Sequence, residues 1–164
     1  MTVVPIGVDQ DPFIRLTRDI AEHKDFDFEK PATIEAKFIP SLTGGAKMSS
    51  SDMGNSVIYL SDSPEEVKNK INKYAFSGGK DTLEEHRKLG GNPDIDISFQ
   101  YLRMFFEEDD KKLKKIYDDY KSGKLLSGEL KAILIEKINV FLKEHQKRRK
   151  DAEKIVDKFI WSKH

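Results

Sequence analysis

Apolar and polar positions follow two rhythms along this chain, and the change falls near residue 61. Before it, short apolar runs stand between polar turns. Val3–Val8 reads as a buried strand. Asp9-Gln10-Asp11-Pro12 marks a helix start, with Asp11 as the cap and Pro12 at the first helical position, and Phe13, Leu16, Thr17 and Ile20 then share one face. Ala32–Ile39 alternates as a second strand closed by Pro40, and Val57–Leu60 reads as a third, short one. Between them Ser41–Asn55 is poor in apolar residues and reads as a mobile loop.

After Ser61 the period becomes helical. Ser63-Pro64-Glu65-Glu66 has the form of a capping box opening a helix that runs to about Tyr74. A glycine-broken connector, Phe76–Asp81, leads to a short helix over Thr82–Leu89, which Gly90-Gly91-Asn92-Pro93 stops. Asp94–Glu107 and Asp110–Tyr120 read as two more helices. A long helix from about Gly128 to Ile160 carries Leu130, Ile133, Leu134, Ile138, Phe141, Leu142, His145, Ala152, Ile155, Val156 and Phe159 at steps of three, four and seven, a bundle-packing stripe. The pattern predicts an α/β portion over 1–60 followed by an all-α portion over 61–164.

Composition narrows the possibilities. Cysteine is absent, which excludes disulfides and Cys-based zinc sites. No run reaches the roughly 18 apolar residues of a membrane span, and no signal peptide opens the sequence, so a cytoplasmic protein without a membrane partner is expected. Net charge is zero, from 29 basic and 29 acidic residues, but the halves oppose each other. Residues 1–60 carry net −3 and residues 61–110 net −5, whereas residues 111–164 hold 16 basic against 8 acidic side chains, net +8. A basic end of this kind is either a solvated face or a surface for a polyanion. Its densest run is Lys147-Arg148-Arg149-Lys150 on the long helix.

The most specific chemistry lies in Lys47-Met48-Ser49-Ser50-Ser51, preceded by Gly44-Gly45. A glycine-flanked loop can close over a substrate. Lysine suits phosphate as a point charge, and hydroxyls and turn amides add donors, so the set suits a triphosphate undergoing transfer. A Walker loop is excluded, because G-x-x-x-x-G-K-[ST] does not occur.

Lys47–Ser51 resembles the KMSKS signature of class I aminoacyl-tRNA synthetases. Val4-Pro5-Ile6-Gly7-Val8-Asp9-Gln10-Asp11, followed by Arg15, Thr17, Arg18 and Asp19, resembles the P-x-G-x-D-Q strand-to-helix segment of their tryptophanyl and tyrosyl branch. Ala75–Thr82, Glu84–Arg87, Gly90–Asp94 and Gly128–Lys131 resemble the tryptophanyl branch of eukaryotes and archaea. The fourth loop position is Ser50, where many class I members carry lysine. The H-x-G-H-type signature of the family's first Rossmann half has no counterpart, since His23, His86, His145 and His164 form no such pair. The resemblance therefore implies a C-terminal part of such an enzyme, inactive alone. It would comprise the second half of a Rossmann-type catalytic domain over 1–60 and a helical-bundle anticodon-binding domain over 61–164.

The resemblance also implies substrates and roles. ATP, as a magnesium complex, activates tryptophan, which is then passed to tRNA(Trp); no tightly bound cofactor and no resident metal is expected, and the family is homodimeric. Lys47, Ser49 and Ser51 would carry catalysis at the phosphates. Gly7, Val8, Lys47, Met48 and Ser49 would bind ATP, and Gln10 the tryptophan amino group. Phe76, Gly79, Lys80, Asp81, Arg87 and Lys131 would meet the anticodon, where unstacked bases are recognised by aromatic faces and by bonds to their edges. His86 reads as a capping or surface residue. A tyrosyl enzyme and a non-catalytic RNA-binding module are the competing expectations.

Overall fold

The computed structural model describes residues 2–26, 28–45, 48 and 56–159. The chain divides into two compact units, one over 1–39 and one over 40–164. The composition shifts near 61, yet packing divides the chain between Ile39 and Pro40. The reason is Leu42, which is fully buried in the helical core, while its carbonyl accepts a hydrogen bond from the Phe76 N–H at 2.7 Å.

The first unit is a βαβ arrangement. Strand β1 (Val3–Gly7) pairs in parallel with β2 (Ala32–Ala36), in a register that sets Val3 opposite Ala32 and Gly7 opposite Ala36. Parallel strands need a long crossover, and helix α1 (Asp11–Ala21) supplies it. A single 3₁₀ turn, Val8–Gln10, joins β1 to α1. Gln10, rather than Asp11, occupies the N-cap; Asp11 lies in the first turn and pairs with Arg15 at 2.7 Å. The predicted face of α1 forms but remains largely uncovered, with Phe13 64% exposed and Leu16 and Ile20 also exposed.

The second unit is helical. Its members are α2 (Pro64–Tyr74), α3 (Leu83–Leu89), α4 (Ile97–Tyr101), α5 (Asp110–Lys121) and α6 (Ser127–Glu153). The capping box at α2 is present on both sides: Ser63 Oγ accepts from the Glu66 N–H, and Glu66 Oε2 accepts from the Ser63 N–H at 2.7 Å. Hydrogen bonding to Ser63 holds the Glu66 carboxyl below its ordinary value. Val67 and Ile71 from α2, Ile97 and Phe99 from α4, Tyr120 from α5, and Leu130, Leu134, Ile138 and Leu142 from α6 form the buried centre.

Several sequence expectations change. Val57–Leu60 is not a strand: among the described residues no strand pairs with it, and the segment is held by side chains. The Tyr59 N–H donates to Asp62 Oδ2, and Gln146 donates to the Leu60 and Asp62 carbonyls at 3.0 Å each. Asp94–Glu107 is not one α-helix; after Tyr101 it widens into a π-helical turn, Leu102–Phe106, closed by the Glu107 N–H on the Leu102 carbonyl. The second strand ends at Ala36, short of Ile39. The long helix ends at Glu153, and the last members of its stripe, Ala152, Ile155, Val156 and Phe159, are exposed. Among the described residues, no helix is long and apolar enough to cross a membrane.

Candidate functional site

In the first unit, Gly7 closes β1 and Val8 and Gln10 form the turn into α1, so a strand end, a turn and a helix start present these three residues. Val8 and Gln10 are exposed. Gly7 has φ −76°, which any residue adopts, so the use of glycine here is spatial: a Cβ would lie 2.8 Å from Asp9 Oδ1.

The candidate triphosphate loop belongs to the second unit. Lys47, Ser49 and Ser51 lie outside the described residues. Met48 is described, and its side chain packs against the helical core. The base of the loop is closed by backbone: the Leu42 N–H donates to the Ser56 carbonyl at 3.0 Å, and Ser41 N–H to the Gly45 carbonyl at 3.3 Å. Gly44, at φ +83°, presses on Phe76, where an added Cβ would sit 3.2 Å from the Phe76 Cβ.

The connector Phe76–Asp81 follows α2. Phe76 is 46% exposed, and Lys80 and Asp81 are exposed beside it. The backbone below them is fixed. Gly78 donates to Asp96 Oδ2 at 2.9 Å, and its carbonyl accepts from the Asn92 N–H at 2.7 Å. A Cβ on Gly78 would stand 2.0 Å from the Asn92 carbonyl oxygen, and one on Gly79 2.2 Å from Ser127 Oγ, so only glycine fits this path without displacing neighbours. Asp81 therefore lies between a pinned turn and the Thr82 cap of α3, whose Oγ1 accepts from the Glu85 N–H at 3.1 Å.

Two of the predicted anticodon residues are engaged elsewhere. Arg87 Nη1 donates to the Gly123 carbonyl at 3.1 Å and to the Lys124 carbonyl, which fastens α3 to the α5–α6 turn. Lys131 Nζ donates to the Asn72 carbonyl at 3.2 Å, and desolvation holds its amine below the ordinary value. Both join protein segments, and neither hydrogen bond leads to Asp81. His86 is not a surface residue: it is 2% exposed, with Nε2 at 3.0 Å from the Leu125 carbonyl and its ring edge-on to Tyr120.

Asp96, Tyr120, Ser77 and Ser127, none of them singled out by the sequence pattern, form one polar cluster, buried at Asp96 and Tyr120 and half-buried at the two serines. Tyr120 Oη donates to Asp96 Oδ2 at 2.8 Å and lies 2.9 Å from Ser127 Oγ and 3.2 Å from Ser77 Oγ. Burial, and then the Asp96 charge, push the Tyr120 phenol up to about 12. Asp96 was legible as a helix cap, since it precedes the apolar start of α4; nothing in the spacing marks Tyr120. Among the described residues, no group of three His, Asp or Glu side chains could hold a metal ion.

Basic residues gather at the other end of α6. Lys143, Lys147 and Lys150 line a cavity of about 600 Å³ with Asp62, Glu136 and Asn139. Arg148 and Arg149 pair along the helix with Glu144 and Glu153.

The family model of class I tRNA synthetases (W and Y) matches residues 1–143. The chain belongs to this family. It is 57% identical to the tryptophan–tRNA ligase of Sulfurisphaera tokodaii over 96% of its own length and 41% of that protein's. It is 49% identical to the cytoplasmic tryptophan–tRNA ligase of Homo sapiens, covering 96% of itself and 33% of the relative. A crystal structure of tryptophanyl-tRNA synthetase from Aeropyrum pernix superposes with a TM-score of 0.89 at 41% identity, over 99% of this chain and 44% of that one. The chain thus spans less than half the length of the class I relatives it matches. Its helices and small parallel sheet are those of class I synthetase structures.

Proposed function

We propose that this chain is part of a tryptophan–tRNA ligase that joins tryptophan to tRNA(Trp) at the expense of ATP. The observation that carries the reading is the 57% identity to a protein of that name across nearly the whole chain. The tyrosyl alternative and a non-catalytic RNA-binding module are both less favoured, because the similar proteins named above are all tryptophan enzymes.

In the first step the tryptophan carboxylate attacks the α-phosphate of ATP; the adenylate forms and pyrophosphate leaves. In the second, a hydroxyl at the tRNA 3′ end attacks the activated carbonyl, and AMP leaves. The nucleophiles belong to the substrates, so the protein's work is positioning and charge stabilisation. Lys47 meets the charge on the pyrophosphate, with magnesium arriving as part of the ATP complex, while Ser49, Ser51 and Met48 complete the loop over it. Gly7 and Val8 offer backbone to the adenine, and the Gln10 amide oxygen accepts from the tryptophan ammonium. Residues 1–60 belong to the second Rossmann half and residues 61–164 to the anticodon-binding domain. There Phe76 stacks on a base, and Asp81 accepts from the N4 amino group of a cytosine. Gly79 and Lys80 line the same turn. Arg87 and Lys131 act by holding that domain together. The intact protein works as a homodimer, and its place is the cytoplasm, a location that the name of the cytoplasmic human relative supports.

Amino-acid-dependent ATP–pyrophosphate exchange by the intact protein tests this reading. Exchange should be faster with tryptophan than with tyrosine; the reverse order would overturn it.

A further inference from the structure

We infer that Asp96 and Tyr120 are positioning residues for anticodon reading, holding the Ser77–Gly79 turn at the height that sets Asp81 against a base edge. This inference rests on the anticodon reading of Phe76–Asp81.

Asp96 is 1% exposed and divides its carboxylate between two duties. Oδ1 caps α4, accepting from the Ser98 N–H at 2.9 Å and the Phe99 N–H at 3.3 Å. Oδ2 accepts from the Gly78 N–H at 2.9 Å and from the Tyr120 hydroxyl at 2.8 Å. Because the Tyr120 proton goes to Asp96, the two serine hydroxyls near the phenol donate to its oxygen. Ser77 Oγ, 3.2 Å from that oxygen, in turn accepts from the Gly79 N–H at 3.2 Å. A chain of donors therefore runs from Gly79 through Ser77 and Tyr120 to Asp96, and the same carboxylate oxygen closes it on Gly78. Such chains strengthen each member.

A helix cap alone requires only Oδ1. The second oxygen, the tyrosine and the two serines converge instead on the Ser77–Gly79 turn, whose backbone immediately precedes the exposed Lys80 and Asp81. Gly91 lies so close to the phenol that a Cβ there would sit 2.4 Å from Tyr120 Cε1, which leaves the ring little room to move. His86 packs on the same ring at 5.1 Å between centroids. The turn can shift only if the cluster shifts with it.

The test is the binding of the intact protein to two RNA hairpins. One carries the loop sequence CCA, complementary to the tryptophan codon; in the other, uracil replaces both cytosines. Tyr120→Phe removes only the hydroxyl, and Ser77→Ala cuts the same chain at a partly exposed site that spares the core. Each should reduce the preference for the cytosine hairpin by about fivefold, the scale of one hydrogen bond, with little change in affinity for the uracil hairpin. The double variant should be no worse than either single one. A purely structural role would lower both affinities together or neither. If Asp81→Ala loses the preference while Tyr120→Phe and Ser77→Ala keep it, the positioning inference fails and the anticodon reading stands. If the unaltered protein shows no preference, or Asp81→Ala keeps it, the anticodon reading fails and takes this inference with it. Should Tyr120→Phe unfold, Ser77→Ala decides alone: an unchanged preference overturns the inference.

Discussion

The Phe76 N–H donates to the Leu42 carbonyl at 2.7 Å, and the Phe76 carbonyl accepts from the Ile97 N–H at 3.1 Å. One residue thus joins the base of the candidate triphosphate loop to the start of the candidate anticodon turn and to helix α4. Gly44 completes the joint from the other side, at φ +83° and against the Phe76 side chain. Gly44→Ala should therefore cost about 1–2 kcal/mol, the penalty of a Cβ in the left-handed region, with some added crowding at Phe76. Urea unfolding of the variant beside the unaltered protein measures it; equal midpoints would show that the joint is slack.

Asp81→Ala should separate the two halves of the reaction. Charging of tRNA(Trp) by the intact protein should fall by roughly tenfold, the scale of one base-edge hydrogen bond at ~1–3 kcal/mol. Tryptophan-dependent pyrophosphate exchange should stay unchanged, because Asp81 is exposed and is assigned to a tRNA base rather than to ATP. Equal losses in both assays would make Asp81 a structural residue.

Much of this was legible in the sequence, for physical reasons that differ from one element to another. The α2 capping box, the parallel-strand segments and the α6 stripe from Leu130 to Leu142 follow from local rules of period and capping. The errors arose where long-range interactions decide the outcome. Val57–Leu60 looks like a strand, but its hydrogen bonds go to Asp62 and Gln146 rather than to a ladder. His86 looks like a surface residue because its neighbours are charged, yet packing on Tyr120 buries it. The Tyr120 cluster spans residues 77 to 127, so no local motif could announce it.

Stability should respond to pH at both ends of the scale. Tyr120 titrates at about 12 in the fold against an ordinary 10.0, so its contribution is complete below about pH 10 and lost as pH rises through about 12. Glu107 shows the opposite sign. Its hydrogen bond to Lys137, 2.9 Å long, holds the carboxyl below the ordinary 4.5, so its contribution is present above that value and lost as pH falls through the folded one. Unfolding midpoints across pH should flatten at the alkaline end in Tyr120→Phe and at the acid end in Glu107→Gln. Unaltered slopes in the two variants would refute the assignment.

The basic end of α6 should govern salt dependence without governing sequence preference. Lys147 and Lys150 open onto the cavity beside α2, whereas Arg148 and Arg149 are paired along the helix. Changing both lysines to glutamine should reduce the slope of log affinity against log salt for tRNA by roughly 1 for each phosphate no longer neutralised. The preference between cytosine and uracil hairpins should persist. An unchanged slope would place the polyanion on another face.

That this chain serves tryptophan–tRNA ligation is put to the sharpest test by side-by-side charging with the intact protein. Purified tRNA with a CCA anticodon is offered with tryptophan or with tyrosine, and aminoacyl-tRNA is counted. Rapid charging with tryptophan and little with tyrosine is expected; preferential charging with tyrosine, or none with either amino acid, would contradict the assignment.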